Sequence, residues 1–370
     1  MRFRRTAMEK ESPELNHPVI KYNLAESGVT SMILKDLHLE LDDLALVYGH
    51  HIGKTELREL IAADSEKLRP EHVLTTVGAS SALFMVAMSM LQRGDHIVVA
   101  FPNYVTNFDT PRTIGCEVDY FHLRFANQFK IDIEELAARI GPETRLVSLT
   151  CPHNPTGTMM TESELRQVID LVEAKDCYLL YDETYREMSF GPELPIAASL
   201  SPRAISVSSL SKTYGLPGIR MGWVICQDKL LMETLLAAKE QIFITNSVVD
   251  EEIAYRVLRE KANHLEKIRA HIDTNFRVMQ EWMSQQDALE WLEPGGGVVC
   301  FPRIKADVPV DIDAFYHVLN EKYDTFVGPG HWFEVDRRHM RIGFGYADQN
   351  ALREGLDNIT RAVQEANQTH

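Results

Sequence analysis

The segment SSLSKTYGLPGIRMGW, from Ser208 to Trp223, decides how this sequence is interpreted. It places one lysine, Lys212, directly after hydroxyl side chains at the end of an apolar run. An arginine, Arg220, follows eight residues later, behind a turn that contains two glycines. Such a segment is either a polar surface loop or a site where a reactive amine lies next to a bound phosphate. The patterns in the rest of the sequence distinguish these two possibilities.

Apolar runs that are typical of buried strands alternate with helical stretches between Val73 and Cys226. We assign strands to Val73–Gly78, His96–Pro102, Cys116–Leu123, Arg145–Pro152, Cys177–Glu183, Ala204–Leu210 and Met221–Cys226. This alternation predicts an α/β fold with a large domain, whose mostly parallel mixed sheet is covered by helices. After about Asp250 the sequence becomes largely helical, which predicts a smaller α+β domain.

Composition and charge exclude several classes of protein. The chain has 370 residues, of which 45% are hydrophobic and 25% charged, and its formal net charge is −16. The negative charge argues against binding to nucleic acid or to an anionic membrane. No apolar run reaches the roughly 20 residues of a membrane helix. We expect no metal site, because metal-ligand spacing is absent among the five cysteines and among the histidines His50, His51 and His153. The cysteines are scattered and odd in number, so we expect a reducing, cytoplasmic location.

Polar residues follow the ends of the predicted strands, which is where an open α/β sheet binds its ligand. Two of these ends suit a phosphate group. Free N–H groups at the start of a helix favour an anion, and hydroxyl and guanidinium groups bind phosphate oxygens. The candidate phosphate ligands are Gly78, Ala79, Ser80, Ser209, Ser211 and Arg220.

Asp182 lies inside the apolar run YLLYD, and a buried carboxylate needs a partner. That partner is either the protonated nitrogen of a pyridine ring or the backbone N–H groups at the strand end. Asn154 and Tyr185 could bind a ring hydroxyl, and Tyr104 could stack on the ring. Each of these three residues also fits an ordinary turn or core position.

Lys212 could form a Schiff base with a carbonyl compound if burial lowers its pKa. Arg341, in the run MRIGFG, suits a carboxylate clamp, although such an arginine is also common in surface salt bridges. A Schiff-base lysine, a phosphate site, a carboxylate for a ring nitrogen and a carboxylate clamp together describe pyridoxal 5′-phosphate and an amino acid.

The chain resembles the class I/II aminotransferases, which are pyridoxal-phosphate enzymes of fold type I, from about Tyr48 to Arg341. The order and spacing of several motifs carry the resemblance. They are YGHHIGKTELREL (Tyr48–Leu60), GAS (Gly78–Ser80), FPNY (Phe101–Tyr104), PHNPTG (Pro152–Gly157), YDETY (Tyr181–Tyr185), the segment Ser208–Trp223, and MRIGF (Met340–Phe344).

The resemblance implies roles for these residues. Lys212 would hold the cofactor as an internal aldimine and then carry the substrate proton, with Asp182 and Tyr185 as the other catalytic groups. Arg341 would bind the substrate carboxylate, and Tyr48 would reach the cofactor phosphate of a neighbouring subunit, which implies a homodimer. The remaining cofactor contacts would be Gly78, Ala79, Ser80, Ser209, Ser211 and Arg220 at the phosphate, Tyr104 on the ring, Asp182 at the ring nitrogen, and Asn154 and Tyr185 at the ring oxygen. Asn154 would also contact the substrate.

The resemblance also suggests how the chain is divided. Residues 1–45 would pack on the small domain and cross the site, residues 46–255 would form the large cofactor-binding domain, and residues 256–370 the small domain. Within the first part, the apolar spacing of Leu34–Val47 predicts a helix. Glu26, in YNLAES, is either a contact for a cationic side chain or amine of the substrate or a solvated loop acid.

We therefore predict a homodimeric, cytoplasmic aminotransferase that transfers the α-amino group of an amino acid to a 2-oxo acid. The alternative is a lyase, decarboxylase, cyclase or oxidase with the same cofactor and fold, acting on an amino acid that could be basic. In relatives that use dicarboxylic acids, a second arginine binds the distal carboxylate, and the segment Lys239–Glu252 contains none. A non-catalytic cofactor-binding regulator is a third hypothesis, which the intact set of Lys212, Asp182 and Arg341 opposes.

Overall fold

The structure, a computed structural model, describes residues 2–16 and 20–367. In chain order its strands are β1 (Tyr22–Asn23), β2 (Val73–Val77), β3 (His96–Phe101), β4 (Glu117–His122), β5 (Thr144–Thr150), β6 (Tyr178–Asp182), β7 (Ala204–Ser209), β8 (Met221–Cys226), β9 (Leu289–Glu290), β10 (Val299–Cys300), β11 (Arg303–Ile304), β12 (Thr325–Phe326), β13 (Gly328–Pro329) and β14 (Met340–Gly343).

The α-helices are α1 (Ala7–Glu11), α2 (Pro13–Asn16), α3 (Thr55–Ala62), α4 (Gly78–Met90), α5 (Thr106–Ile114), α6 (Ile133–Arg139), α7 (Glu162–Ala174), α8 (Lys229–Ile242), α9 (Val248–Arg259), α10 (Lys261–Met283), α11 (Ile312–His317) and α12 (Gln349–Asn367). Short 3-10 helices span Leu34–Leu37, Pro70–His72, Phe125–Asn127, Arg186–Met188, Ala197–Ser199, Pro217–Ile219 and Gly330–Phe333, and a π-helical turn spans Val318–Lys322. Within the described ranges, no helix is long and apolar enough to cross a membrane.

The central sheet has the strand order β2-β8-β7-β6-β5-β3-β4. Strands β7, β6, β5, β3 and β4 run parallel to one another, whereas β8 is antiparallel to both of its neighbours, β2 and β7. The predicted mostly parallel mixed sheet is therefore confirmed. Its parallel strands end at one edge, which is the edge that carries the site residues.

Both faces of this sheet are buried beneath helices. Successive side chains of a strand point to opposite faces, so Ile97 and Val99 pack into one apolar cluster and Val98 and Ala100 into another. Helix α4 contributes to the first cluster and α7 to the second. This two-sided burial explains why the strands are continuous apolar runs rather than alternating ones.

A second group of elements contains the antiparallel sheet β10-β14-β13 and the long helices α10 and α12. The amino-terminal part of the chain lies against this group, because β1 pairs in parallel with β12 and places Tyr22 opposite Thr325. The next residue, Leu24, is fully buried and continues the contact through a hydrogen bond from its N–H to the carbonyl of Phe326, 2.8 Å. The domain boundaries given above stay predictions.

The prediction of a helix over Leu34–Val47 is wrong. Only a 3-10 turn forms, over Leu34–Leu37, and His38 ends it in the left-handed conformation with φ 48°. Beyond it, Leu39 and Leu41 pack partly against the core, whereas Leu46 is 78% and Val47 is 68% exposed. The apolar spacing therefore does not mark the buried face of a helix, and its last residues form an exposed apolar surface.

Gly343, on β14, lies directly against the backbone of the amino-terminal segment. A Cβ atom at this position would lie 1.8 Å from the carbonyl oxygen of Glu26. Replacing Gly343 by alanine should lower the free energy of unfolding by about 1–3 kcal/mol, the usual cost of overpacking. Thermal or urea denaturation measures this effect. Gly191→Ala is the control, because nothing lies within 4 Å of its added Cβ. Equal stability of the two variants would contradict the close packing described here.

Candidate active site

A cleft of about 240 Å³ opens at the carboxyl-terminal edge of the central sheet. It brings together residues that are far apart in the sequence and that the motifs predicted. Those lining it are Ala79, Ser80, Tyr104, Asn154, Asp182, Tyr185, Ser209, Ser211, Lys212, Arg220 and Arg341. Gly78 lies behind Arg220, and Glu26 contacts Lys212.

Gly78 and Arg220 form one side of an anion-binding corner. Helix α4 begins at Gly78, whose φ is 78°, and a Cβ atom there would lie 2.5 Å from Nη2 of Arg220. Only glycine allows this backbone and this guanidinium to be so close. Nη1 of Arg220 donates to the carbonyl of Pro217 at 2.9 Å and to Oγ of Ser211 at 3.3 Å. The positive group is thus fixed beside the start of a helix, where N–H groups are free.

Hydroxyl groups complete this corner. The strand β7 ends at Ser209, and its Oγ accepts a hydrogen bond from the N–H of Ser211 at 3.3 Å. Across the cleft, Oγ of Ser80 lies 3.2 Å from the phenol oxygen of Tyr104. Hydroxyls, a guanidinium and a helix start are the donors that a phosphate monoester requires.

Asp182 lies at the end of β6 and is only 6% exposed. Its Oδ1 accepts hydrogen bonds from the hydroxyl of Thr184, 2.6 Å, and from the N–H of the same residue, 3.2 Å. Burial raises the pKa of Asp182 above its ordinary value, although hydrogen bonds from Thr184 and Asn107 act in the opposite direction. A cationic ring nitrogen beside this carboxylate would offset the cost of burying its charge.

Lys212 and Glu26 form an ion pair in the middle of the cleft, with 3.1 Å between Nζ and Oε1. Burial works to lower the pKa of Lys212, but the Glu26 carboxylate and the Tyr185 phenol outweigh it, so this pKa is raised. The Lys212 ammonium in turn lowers the pKa of Glu26 to about 2, against the effect of burial. Both groups are therefore charged at neutral pH in the unmodified chain.

The residues next to Glu26 contact two further site residues. Tyr185 donates to the carbonyl of Ser27 at 2.7 Å, and Nη2 of Arg341 donates to the carbonyl of Ala25 at 2.7 Å. Nη1 of Arg341 also donates to Oδ1 of Asn154 at 3.2 Å. The backbone of Ala25 and Ser27 thus helps to orient Arg341 and Tyr185, while the division of the chain given above stays a prediction.

Arg341 lies on β14 and is 4% exposed. Its guanidinium stands over the ring of Phe333, 5.2 Å from the ring centre. A planar, buried guanidinium at the wall of a cleft can hold a carboxylate through two parallel hydrogen bonds.

Tyr48 does not line the cleft of its own chain. It is 80% exposed and follows the exposed residues Leu46 and Val47. The role that the resemblance gives it, at the phosphate of a neighbouring subunit, stays a prediction.

The histidines considered above have other surroundings. His153 is buried, its Nδ1 lies 2.7 Å from Oγ1 of Thr156, and burial lowers its pKa to about 4. His51 lies 2.5 Å from a carboxylate oxygen of Glu240 at the surface. Among residues 2–16 and 20–367, no group of three or more His, Cys, Asp or Glu side chains could hold a metal ion.

Seven residues that line the cleft were not predicted as site residues: Met8, Glu9, Ser27, Leu83, Thr150, Thr184 and Pro217. Thr184 and Thr150 were detectable in principle, because Thr184 lies two residues after Asp182, the spacing of a local hydroxyl–carboxylate bond, and Thr150 lies near the end of the predicted strand Arg145–Pro152. Met8 and Glu9 also line the cleft, on helix α1. No local sequence pattern predicts that Met8 and Glu9 line the cleft, because the position of α1 depends on contacts with residues more than 70 positions away.

Comparisons with known proteins show the family to which the chain belongs. Residues 22–359 match the family described as aminotransferase class I and II. Capreomycidine synthase of Streptomyces vinaceus is 31% identical over 359 residues, covering 93% of this chain and 90% of that protein. Arginine–pyruvate transaminase of Pseudomonas aeruginosa is 29% identical over 351 residues, covering 92% and 86%. The solved structure of a PLP-dependent cyclase, OrfR, has a TM-score of 0.90 at 27% identity and covers 99% of this chain and 98% of that one.

The chain therefore belongs to the class I and II aminotransferase family, and it has fold type I of the pyridoxal-phosphate-dependent enzymes. The residues present fit that cofactor. Hydrogen-bond donors for its phosphate are present at the anion-binding corner, which is formed by Gly78, Ser209, Ser211 and Arg220. The buried carboxylate of Asp182 can pair with its protonated ring nitrogen.

The ion pair with Glu26 should control how fast Lys212 reacts with pyridoxal phosphate. Glu26→Gln removes the attraction that raises the pKa of Lys212, so burial then lowers it and the neutral amine becomes more abundant at pH 7. We expect faster reconstitution of the apoenzyme at pH 7, with the pH midpoint of the rate moved downward, measured by stopped-flow absorbance. Glu134→Gln, an exposed site on α6, is the control. An unchanged midpoint in Glu26→Gln would contradict the pairing.

Proposed function

We propose that this protein is a pyridoxal-phosphate-dependent aminotransferase that moves the α-amino group of an amino acid to a 2-oxo acid. The observation that supports it most is the position of Lys212 between a phosphate-binding corner and the buried guanidinium of Arg341. An amino acid held by its carboxylate at Arg341 would present its amine and its α-hydrogen to the lysine. Membership of the family agrees with this reaction.

The cofactor would be held by the residues that line the inner cleft. Ser80, Ser209, Ser211 and Arg220 would bind its phosphate together with the first N–H groups of α4, and Asp182 would pair with its ring nitrogen. Tyr104 would stack on the ring, while Asn154 and Tyr185 would bind its oxygen. When bound, the ring withdraws electrons from the α-carbon of the substrate.

Lys212 would act as the general base that removes the α-proton and then returns a proton. Glu26, 3.1 Å from Nζ, would stabilise the lysine while it carries this proton as an ammonium. Arg341 would fix the α-carbon beside the lysine, since a bidentate carboxylate contact sets orientation as well as affinity.

We also propose that the active form is a homodimer located in the cytoplasm. The exposed apolar run Leu46–Tyr48 would be covered by a second copy of the chain, and Tyr48 would then reach the phosphate there. A cytoplasmic location agrees with five free cysteines, four of which are buried.

A second candidate is a lyase, decarboxylase, cyclase or oxidase that uses the same cofactor on a basic amino acid. The observation that favours it is the Glu26 carboxylate inside the cleft, a contact suited to a cationic group. The similar proteins named above include a capreomycidine synthase, an arginine–pyruvate transaminase and a cyclase. The α-proton is removed first in several of these reactions, so the residues that serve this step do not distinguish them.

Product analysis separates the two candidates. Purified holoenzyme is incubated with a panel of amino acids, including arginine, with and without pyruvate or 2-oxoglutarate. For an aminotransferase we expect the 2-oxo acid of the donor and an acceptor-derived amino acid in equal amounts, and negligible turnover without acceptor. Multiple turnovers without acceptor, with release of ammonia, carbon dioxide, peroxide or a cyclic amino acid, would support the second candidate. Lys212→Ala should abolish turnover in either case.

Replacing Arg341 tests the carboxylate contact. Arg341→Lys keeps the positive charge but loses the planar guanidinium that can donate two parallel hydrogen bonds to a carboxylate. KM should therefore rise about tenfold or more for every amino acid, as expected for the loss of a charge-assisted pair worth ~1.5–3 kcal/mol. Arg353→Lys, an exposed arginine paired with Glu281, should leave KM unchanged. Steady-state kinetics measures both, and an unchanged KM in Arg341→Lys would mean that another group binds the carboxylate.

A further inference from the structure

Helix α1 forms the outer wall of the cleft. Met8 and Glu9 line the same cavity as Lys212 and Arg341, although they come from the very start of the described chain. Neither residue belongs to a motif that carries the family resemblance. The family match begins at residue 22, so this wall lies outside the part of the chain that the match covers.

Contacts on both sides hold α1 in this position. Oε2 of Glu11 accepts hydrogen bonds from Nε2 of His331, 2.5 Å, and from Nε1 of Trp332, 2.9 Å. On the other side, the ring of Phe3 lies 5.7 Å from the ring of Phe84, which belongs to α4. Met8 packs against the buried cluster that contains Trp332. The segment that contains α1 is thus in contact both with helix α4 and with the turn that follows β13.

The same turn is directly connected to the carboxylate-binding group. Strand β13 pairs with β14, and Gly328 lies opposite Arg341 in that pairing. Glu9 and Arg341 therefore have a continuous structural connection, through Glu11, Trp332 and the β13–β14 ladder. A ligand held at Arg341 has a fixed wall at the mouth of the cleft.

The charged side chain that this wall contributes to the lining is that of Glu9. Glu9 is exposed, and within residues 2–16 and 20–367 its carboxylate makes no salt bridge, although the Arg5 guanidinium donates to its backbone carbonyl at 2.6 Å. Of the other two carboxylates at the cleft, that of Asp182 is buried and that of Glu26 is paired with Lys212. Glu9 is thus the exposed carboxylate of the lining that an entering side chain can meet. The other charged groups of the lining are the cations Lys212, Arg220 and Arg341.

We propose that Glu9 is a specificity-determining residue that binds the cationic end of a basic amino-acid side chain, such as a guanidinium. This inference rests on the proposed function, because it requires an amino acid held by its α-carboxylate at Arg341. A carboxylate accepts two parallel N–H bonds from a guanidinium, so it recognises both the charge and the shape of that group. A neutral side chain of the same shape gains only part of this interaction.

A pair of substrates and a pair of variants test the proposal. L-Citrulline has nearly the shape of L-arginine but a neutral end group. Binding to the holoenzyme is measured without acceptor, from the concentration dependence of the cofactor absorbance and by titration calorimetry. We expect the wild type to prefer arginine. Glu9→Gln should weaken arginine binding by about threefold to tenfold, as for a partly exposed charge pair, and leave citrulline unchanged.

Glu134→Gln is the matched control, since it removes one exposed carboxylate far from the cleft and gives the same change in net charge. Glu9→Asp should recover part of the arginine preference. Equal affinities of the wild type for arginine and citrulline, or an arginine affinity unaffected by Glu9→Gln, would overturn the proposal while the proposed function stands. If no amino acid changes the cofactor absorbance of the wild type, the proposed function fails, and this inference fails with it.

Discussion

The active site depends on the path of five residues, Leu24–Gly28, between the central sheet and the carboxyl-terminal elements. Backbone hydrogen bonds join Leu24 to Phe326 and to Gly343, both at 2.8 Å. Beyond Gly28, the N–H of Val29 donates to the carbonyl of Lys212 at 3.1 Å. The backbone and side chains of this short stretch thus contact the lysine, the tyrosine and the arginine of the site. Any change in its path would move all three groups relative to one another.

Much of the fold was predictable from the sequence, because local patterns carry the information. The strands around Val98 are continuous apolar runs, and helix α4 follows its strand without a break. The phosphate corner was equally accessible, since Ser209, Ser211 and Arg220 lie within one short segment that must turn at the sheet edge. Strand β8, which runs antiparallel to the other strands of the central sheet, also fits the mixed sheet that was expected.

The parts that could not be predicted depend on contacts between distant segments. The positions of Met8 and Glu9 follow from the bonds that Glu11 makes with His331 and Trp332, 320 and 321 residues away. The helix expected over Leu34–Val47 failed for a related reason. Its apolar residues have the spacing of a buried face, but Leu39 and Leu41 pack against the core without a helix, and Leu46 and Val47 stay exposed. Periodicity alone does not say which surface an apolar side chain meets.

The two arginines of the cleft are held mainly by neutral groups, which suits the binding of anions. Arg220 donates to a hydroxyl and a carbonyl, and Arg341 to an amide oxygen and a carbonyl. Arg112 and Arg139, at the surface, are instead bonded to carboxylates. Neutral acceptors such as these orient a guanidinium without placing a further negative charge beside it.

The path of Leu24–Gly28 also determines when the site can exist during synthesis. The carbonyl of Ala25 and the guanidinium that it orients are 316 residues apart in the sequence. The segment is synthesised before the central sheet, whereas the strands that hold it, β12 and β14, follow that sheet in the sequence. A nascent chain can therefore complete the central sheet and the phosphate corner while the wall that faces the substrate is still missing. Recognition of the amino acid becomes possible only after β14 has been synthesised.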